Sequence, residues 1–284
     1  MIRAALAAVC ILCGVPVAMA SEARVESSYF VTSDGVRLHV LEAEPPAPRA
    51  PVIAFVPGWS MPAEIWRAQL ATLGTRYRVA ALDPRGQGAS QIAASGYTAE
   101  RRADDIAEFV ARYPKAVLVG WSLGALEALQ YVHMRGEAKL AGLVLVDSSV
   151  GEPPVPPASN FIGALKRNRG QAIDGFVRSI FRTERPATEL ALLEKEALRL
   201  PLAASLKLLA YPYPREHWRE AVHAVRVPLL YVVTPQFAEQ AQNLKRNRPR
   251  CEIVVFEHAG HALFVDEPER FNEVLEDFVR RLPG

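Results

Sequence analysis

An apolar run followed by Gly-Trp-Ser-Leu-Gly at positions 120–124 is the feature that most limits what this chain can fold into. Residues 116–119 predict a buried strand, and residues 125–134 predict a helix that begins directly after the motif. A strand that turns so sharply into a helix holds the central residue in a strained conformation, so small neighbours are needed around it. The pattern therefore predicts that the turn lifts the Ser122 hydroxyl clear of a sheet, where it can act as a nucleophile.

Composition indicates one sizeable globular domain, because the chain has 284 residues and half of them are hydrophobic. Lys and Arg number 33 against 31 Asp and Glu, which gives a formal net charge of +2, and the basic residues form no cluster. A nucleic-acid partner has no electrostatic support from this balance. A small or neutral substrate fits it better, and the sequence gives no indication of oligomeric state.

The first twenty residues predict a secretory signal peptide. Arg3 supplies a positive start, residues 4–17 are apolar, and Ala-Met-Ala at 18–20 is typical of a cleavage site after Ala20. The apolar stretch is short for a transmembrane helix, so no stable membrane anchor is expected. The mature protein is expected to be secreted or periplasmic, with Cys251 as its one remaining cysteine.

Strand-like and helix-like segments alternate along the chain, which predicts an α/β fold with a mostly parallel sheet covered on both faces. An antiparallel hairpin is predicted first, and nearly continuous apolar runs predict the parallel strands that follow. Residues 151–225 interrupt this alternation with a proline-rich start and amphipathic segments, which predicts a helical cap between two core parts, 21–150 and 226–284. The predicted strands are 25–31, 36–41, 52–56, 77–82, 115–120, 141–146, 229–233 and 251–256.

The order of elements, the turn at Ser122, the position of the cap and a late histidine resemble the α/β-hydrolase family over residues 24–284. The resemblance implies an eight-stranded, mostly parallel sheet. A serine at the nucleophile position departs from the aspartate-nucleophile branches of the family, so acyl transfer is favoured. A serine nucleophile needs a histidine that accepts its proton during attack and returns it to the leaving group.

His261 is the predicted base, because it lies in an Ala-Gly-His loop after the last strand, where the family places its catalytic histidine. His258 is a nearby alternative, but it lacks the adjoining glycine. No His-Glu-x-x-His pattern or third ligand accompanies this pair, so neither a metal nor another cofactor is expected.

The third member of the triad departs from the family pattern. The acid should follow the strand at 229–233, yet Phe237 occupies that position and no aspartate lies between Val225 and Cys251. Some relatives carry the acid after the preceding core strand, and Asp147 ends that strand here. Asp147 is therefore the predicted acid, and Glu239 is the alternative if the later loop is rearranged.

Two backbone N–H groups are expected to form an oxyanion hole, one from Leu123 and one from Trp59 in the turn after the strand at 52–56. Trp59 and Trp121 lie beside this turn and the nucleophile, so they are candidates to bind substrate, with packing in the core as the alternative; Ser60 is a further candidate. In the loop 83–90, Asp83 and Arg85 are expected to form a charge-assisted brace near the site.

These residues together predict a serine hydrolase that cleaves a carboxylic ester of a small or moderately apolar substrate through an acyl-enzyme intermediate. Thioester, lactone, amide and carbon–carbon bond hydrolysis can use the same serine and histidine, and they remain alternatives. A non-catalytic binding protein on the same fold is a further alternative, because the usual acid position holds Phe237.

Overall fold

A single eight-stranded sheet organises the chain in the computed structural model, which describes residues 22–283. The predicted signal peptide at 1–20 lies outside the described residues. The strand order is β1-β2-β4-β3-β5-β6-β7-β8; β2 is antiparallel to β1 and β4, and the other neighbours are parallel. The strands are β1 (Glu26–Val31), β2 (Arg37–Ala43), β3 (Arg49–Val56), β4 (Tyr77–Asp83), β5 (Ala116–Trp121), β6 (Leu140–Val146), β7 (Leu229–Val233) and β8 (Glu252–Val255).

Helices cover both faces of the sheet, as expected for parallel strands that are apolar throughout. One buried cluster lies on each face: α1 and α11 pack into one cluster, and α2, α3, α8 and α9 pack into the other. The α-helices of the described chain are α1 (Arg67–Leu73), α2 (Ala99–Ala111), α3 (Leu123–Arg135), α4 (Phe161–Arg167), α5 (Arg169–Ser179), α6 (Ala187–Arg199), α7 (Leu202–Leu209), α8 (Arg215–Ala224), α9 (Ala238–Asn247), α10 (Leu263–Asp266) and α11 (Pro268–Arg280).

The central strands set the position of the site. Every residue of β5 is buried, and β5 lies between β3 and β6 in parallel register, with Trp121 opposite Val146. Ser122 and Asp147 each follow directly after their strand, so both lie at the carboxyl edge of the sheet on neighbouring strands. This edge is where open α/β sheets bind ligands.

The segment between β6 and β7 contains helices α4 to α8 and no strand, within the described residues. Helix α8 packs against α3 and contributes Trp218 and Val222 to the cluster on that face of the sheet. Helices α4 to α7 contribute instead to the cluster that contains Trp59. The predicted eight-stranded, mostly parallel fold is therefore confirmed, whereas the cap boundaries at 151 and 225 stay predictions.

No helix within residues 22–283 combines the length and the apolar character needed to cross a bilayer.

Candidate active site

Ser122 sits on the strained turn that the sequence predicts, with φ 55° and ψ −119° between β5 and α3. The residues two positions before and two positions after Ser122 must be glycine. A Cβ on Gly120 would lie 2.4 Å from the Gly124 carbonyl oxygen, and one on Gly124 would lie 2.6 Å from the Pro57 carbonyl oxygen. Any side chain at either position would collide with backbone, so the two glycines are what allow strand, turn and helix to pack this closely.

The structure brings Ser122, His261 and Asp147 into one hydrogen-bonded chain. The Ser122 Oγ lies 2.9 Å from His261 Nε2, and His261 Nδ1 lies 2.8 Å from Asp147 Oδ2. The other Asp147 oxygen, Oδ1, accepts from both the backbone N–H (2.7 Å) and the hydroxyl (2.8 Å) of Thr234. With Nδ1 donating to the carboxylate, Nε2 is left as the acceptor for the serine proton.

Burial differs among Ser122, His261 and Asp147 in a way that suits proton transfer. Asp147 is fully buried, whereas 26% of the His261 side chain is exposed and Ser122 is partly exposed. The carboxylate is thus shielded from water while the nucleophile can be reached. Burial, aided by the nearby Asp147 charge, raises the pKa of Tyr231 well above its usual value, so this phenol stays protonated and donates to the Ser148 carbonyl at 2.6 Å.

The alternative residues lie apart from this chain. Both ring nitrogens of His261 are occupied by Ser122 and Asp147, and no hydrogen bond in the described structure joins Glu239 to the ring. Glu239 lies in the first turn of α9. His258 is exposed, and Phe237 is buried in the cluster beneath the β7 end of the sheet.

Backbone strain concentrates at the same edge of the sheet. Among residues 22–283, three non-glycine residues have positive φ: Ser60 at 57°, Ser122 at 55° and Asp147 at 43°. Such conformations cost about 1–3 kcal/mol each and persist only where the surroundings enforce them. The strain therefore coincides with the predicted nucleophile, its predicted acid and the turn predicted to form the oxyanion hole.

Two backbone donors lie beside the serine. Leu123 is the first residue of α3, whose initial N–H groups have no acceptor within the helix. Gly58 approaches the nucleophile so closely that a Cβ there would lie 3.1 Å from the Ser122 Cβ. The next N–H, that of Trp59, donates to no protein acceptor in the described chain.

The predicted substrate-binding tryptophans differ in their surroundings. Trp59 contacts the cap: its indole N–H donates to the Ser205 carbonyl at 2.9 Å, and its ring packs edge-on against Phe161 and Phe176. The Trp121 indole is 1% exposed and donates to the His261 carbonyl at 2.8 Å. That placement makes Trp121 a brace for the histidine loop, and its contact with substrate stays a prediction, as does that of Ser60.

The loop that carries His261 is also tied to the segment after α5. Asp266 accepts from the Gly260 N–H at 2.7 Å and from the N–H groups of Arg182 and Thr183 at 2.8 and 3.0 Å. On the other side of the histidine, the Ala262 N–H donates to the Ile180 carbonyl at 2.8 Å. The segment after α5 and the histidine loop are thus joined on both sides of His261, in keeping with the surface or loop-tying contacts expected for Asp266.

A second Ser–His–Asp chain lies at the antiparallel side of the sheet. His39 Nε2 is 2.5 Å from Ser27 Oγ, and His39 Nδ1 is 2.7 Å from Asp83 Oδ2. The sequence gives no context to His39, because its two partners come from two other strands, β1 and β4. The expected pairing of Asp83 with Arg85 is wrong, since the buried Arg85 guanidinium pairs with Asp105 and with Asp34.

No cluster of three or more His, Cys, Asp or Glu side chains within residues 22–283 is arranged to hold a metal ion.

Comparison with known proteins identifies the family to which the chain belongs. The sequence profile of the alpha/beta hydrolase family matches residues 53–274, more than half of the chain. The chain belongs to the alpha/beta hydrolase family, and it resembles the esterase type of that family.

Two relatives match this chain over nearly their whole length. The AB hydrolase superfamily protein YisY of Bacillus subtilis is 26% identical over 275 residues, which cover 88% of this chain and 98% of that protein. The pimeloyl-[acyl-carrier protein] methyl ester esterase of Nitrosomonas europaea is 29% identical over 245 residues, which cover 78% of this chain and 92% of that protein. Among solved structures, an esterase from Exiguobacterium antarcticum has a TM-score of 0.78 at 22% identity, with coverage of 89% and 99%, which shows the shared fold alone.

Proposed function

We propose that this protein is a serine hydrolase that cleaves a carboxylic ester of a small or moderately apolar substrate through an acyl-enzyme intermediate. The observation that carries the proposal is the hydrogen-bonded chain from Ser122 through His261 to Asp147, with distances of 2.9 and 2.8 Å. A serine hydroxyl is a weak nucleophile by itself, and this arrangement supplies the base that activates it.

In the proposed mechanism, the Ser122 oxygen attacks the ester carbonyl while its proton passes to His261 Nε2. The imidazolium then gives that proton to the departing alcohol, and the acyl group remains on the serine. Water next attacks the acyl-enzyme, with His261 again accepting the proton, and the ring then returns that proton to the Ser122 oxygen as the carboxylic acid leaves. Asp147 holds the ring in the required tautomer and stabilises its positive charge in both half-reactions.

The tetrahedral intermediate carries a negative oxygen, which we place against the N–H groups of Leu123 and Trp59. Each preorganised donor of this kind contributes about 3 kcal/mol to the stability of the transition state. The aromatic contacts between Trp59, Phe161 and Phe176 give this side of the site an apolar character. That surface favours an apolar acyl or aryl group over a sugar or phosphate.

The relatives support ester hydrolysis as the general reaction, since the Nitrosomonas europaea relative is named for a methyl ester. They do not distinguish among ester substrates. Secretion or periplasmic location, with cleavage after Ala20, remains part of the proposal.

A fluorophosphonate probe tests the proposed nucleophile without a guess at the substrate. The folded protein is treated with the probe, and the adduct is located by mass spectrometry. We expect labelling at Ser122 and none at Ser27, and no labelling of the Ser122→Ala variant. Absence of an adduct at Ser122 in folded protein would contradict the proposal, and labelling at Ser27 would move the activity to the other Ser–His–Asp chain.

A further inference from the structure

A buried glutamine holds the turn that carries the Trp59 N–H. The side-chain nitrogen of Gln87 donates to the Gly58 carbonyl at 3.1 Å and to the Met61 carbonyl at 2.8 Å. The Met61 N–H also donates to the Gly58 carbonyl, at 3.3 Å, and Gln87 is 1% exposed. One amide group therefore uses both of its N–H donors to fix the two ends of the turn 58–61.

The orientation of Gln87 follows from its partners. Arg102 offers only donors, and its two terminal nitrogens lie 3.2 and 3.3 Å from Gln87 Oε1. The two carbonyl oxygens on the opposite side offer only acceptors. The amide must therefore point its oxygen at Arg102 and its nitrogen at the turn, because a flipped amide would leave every one of these contacts unsatisfied.

The Gly58 carbonyl and the Trp59 N–H belong to one planar trans peptide group, in which the two bonds point in opposite directions. Fixing the carbonyl thus fixes the direction of the N–H. Ser60, the next residue, is held at φ 57°, so the turn is strained and needs such a restraint. Without it, the peptide group could rotate and turn the N–H away from Ser122.

Further buried charges hold Gln87 in place. Arg102 pairs with Glu127 at 2.9 Å, and both side chains are 1% exposed. Glu127 also accepts, at 2.7 Å, from the hydroxyl of Tyr211, which lies between α7 and α8. Burial raises the pKa of Tyr211 well above its usual value, so the phenol remains a donor. A buried ion pair need not add stability, and the role of the Arg102–Glu127 pair here is to fix the position of Arg102 against Gln87.

We propose that Gln87 is a positioning residue for ester hydrolysis, which aims the Trp59 N–H at the oxyanion by holding the Gly58 carbonyl. This inference rests on the proposed function, because it assigns a purpose to the turn only if Ser122 is the nucleophile. Gln87 touches no reacting atom. It acts through the backbone of the turn, and Arg102, Glu127 and Tyr211 act through Gln87.

The test compares Gln87→Met with Gln240→Met. Gln240 is also 1% exposed, and its amide nitrogen donates to a backbone carbonyl, that of Pro154, at 2.9 Å. The second substitution therefore removes a matched buried hydrogen bond away from the turn. Gln87→Glu serves as a near-isosteric variant that keeps the acceptor for Arg102 and loses the donor toward the two carbonyls. Circular dichroism and thermal melting establish that each variant is folded.

Two readouts are measured: the rate of Ser122 labelling by the fluorophosphonate, and kcat and KM for an activated ester such as p-nitrophenyl butyrate. For Gln87→Met we expect labelling rate and kcat to fall about 10- to 50-fold with KM nearly unchanged, less than the ~100-fold or more that follows complete loss of an oxyanion donor. Gln87→Glu should lose at least as much. Gln240→Met should keep both rates.

Each other outcome overturns the inference. If Ser122 of the wild-type protein is labelled and folded Gln87→Met or Gln87→Glu reacts at the wild-type rate, the positioning role is wrong and the proposed function stands. Equal losses in Gln87→Met and Gln240→Met would mean that the effect is general destabilisation. If the wild-type protein is not labelled at Ser122, the proposed function and this inference both fail.

Discussion

Two Ser–His–Asp chains in this molecule join the same three groups in the same order but have very different surroundings. The distances are 2.9 and 2.8 Å in Ser122–His261–Asp147, and 2.5 and 2.7 Å in Ser27–His39–Asp83. In both, the histidine bridges a hydroxyl and a buried carboxylate. The contacts between side chains therefore do not separate the two, and the difference must lie in the backbone around each serine.

The backbone distinguishes them in conformation and in available donors. Ser122 is held at positive φ at the start of α3, with Gly58 packed against it. Ser27 lies within the strand β1, opposite Leu41 of β2, in an extended conformation. An oxyanion needs donors already aimed at it, whereas the N–H groups of an extended strand such as β1 lie in the plane of the sheet and point away from side chains that project from its faces. We therefore expect a hydrogen-bonded Ser–His–Asp chain to support acyl transfer only where the serine lies on a turn with N–H groups aimed at the oxyanion.

The two carboxylates, Asp147 and Asp83, also have different hydrogen-bond partners. Asp147 binds His261 and Thr234, which positions it for the ring. Asp83 accepts from His39 and also from the backbone N–H groups of Ala63 and Ala89, at 2.5 and 2.7 Å. This set of partners ties three segments of chain together, so Asp83 is expected to matter for folding and Asp147 for turnover.

Removal of each serine gives the largest expected difference between the two chains. Ser122→Ala should lower kcat on an activated ester by at least about 10,000-fold, because the nucleophile itself is lost. Ser27→Ala should change kcat by less than about twofold, as expected for an exposed side chain. Steady-state kinetics on both folded variants measures this. A large loss with Ser27→Ala would break the comparison.

Replacement of each aspartate by asparagine should separate catalysis from stability. Asp147→Asn should lower kcat by about 1,000- to 10,000-fold, because an amide no longer stabilises the imidazolium or its tautomer. Asp83→Asn should leave kcat of the folded protein near the wild-type value and lower the free energy of unfolding by about 2–3 kcal/mol. Kinetics and denaturant unfolding are measured on both variants, and the reverse pattern would show that the roles are exchanged.

Thr234 offers a finer test of how Asp147 is held. Thr234→Val removes the hydroxyl that donates to Oδ1 and leaves the backbone donor in place. We expect kcat to fall about 5- to 20-fold, less than the full effect of a lost hydrogen bond to a charged group, because the backbone N–H still binds Oδ1. Thr234→Ser keeps the hydroxyl and should restore most of the rate. If Thr234→Ser loses as much activity as Thr234→Val, the hydroxyl alone does not account for the effect, and the packing of the whole side chain controls the rate.

The smallest effect is expected at the alternative acid. Glu239→Gln should change kcat by less than about twofold, since no hydrogen bond in the described chain joins this carboxylate to His261. The measurement is the same ester assay on the purified variant. A loss comparable to that of Asp147→Asn would make Glu239 the acid of the triad and would remove the contrast drawn between Asp147 and Asp83.

Local patterns were sufficient for most of the fold. The strands at 52–56 and 141–146 were predicted to within a few residues because buried parallel strands are continuous apolar runs. The turn at Ser122 was predictable because glycines at both ends leave room that no other residue provides. The late loop with His261 followed from the order of elements. The apolar runs and the glycine spacing are patterns within a short stretch of chain, whereas His261 was found from its place in the order of elements.

Contacts between segments that are far apart along the chain could not be predicted from the sequence. Thr234 carries no motif, yet the β6–β7 register puts it beside Asp147, 87 residues away in sequence. Gln87 meets Gly58 only because the loop after β4 folds over the turn after β3. The chain Ser27–His39–Asp83 joins three strands. Hydrogen bonds of this kind depend on which strands become neighbours, and no local pattern encodes that.

The sequence by itself determined the sheet, the strained turn and the serine and histidine types needed for acyl transfer, because glycine spacing and apolar periodicity act over a few residues. Only the tertiary structure decided that the Asp147 carboxylate lies against His261 and that the Glu239 side chain does not. It also decided which of two Ser–His–Asp chains has its serine on a strained turn at the start of a helix. Those choices depend on strand order and on burial, which bring together residues far apart along the chain.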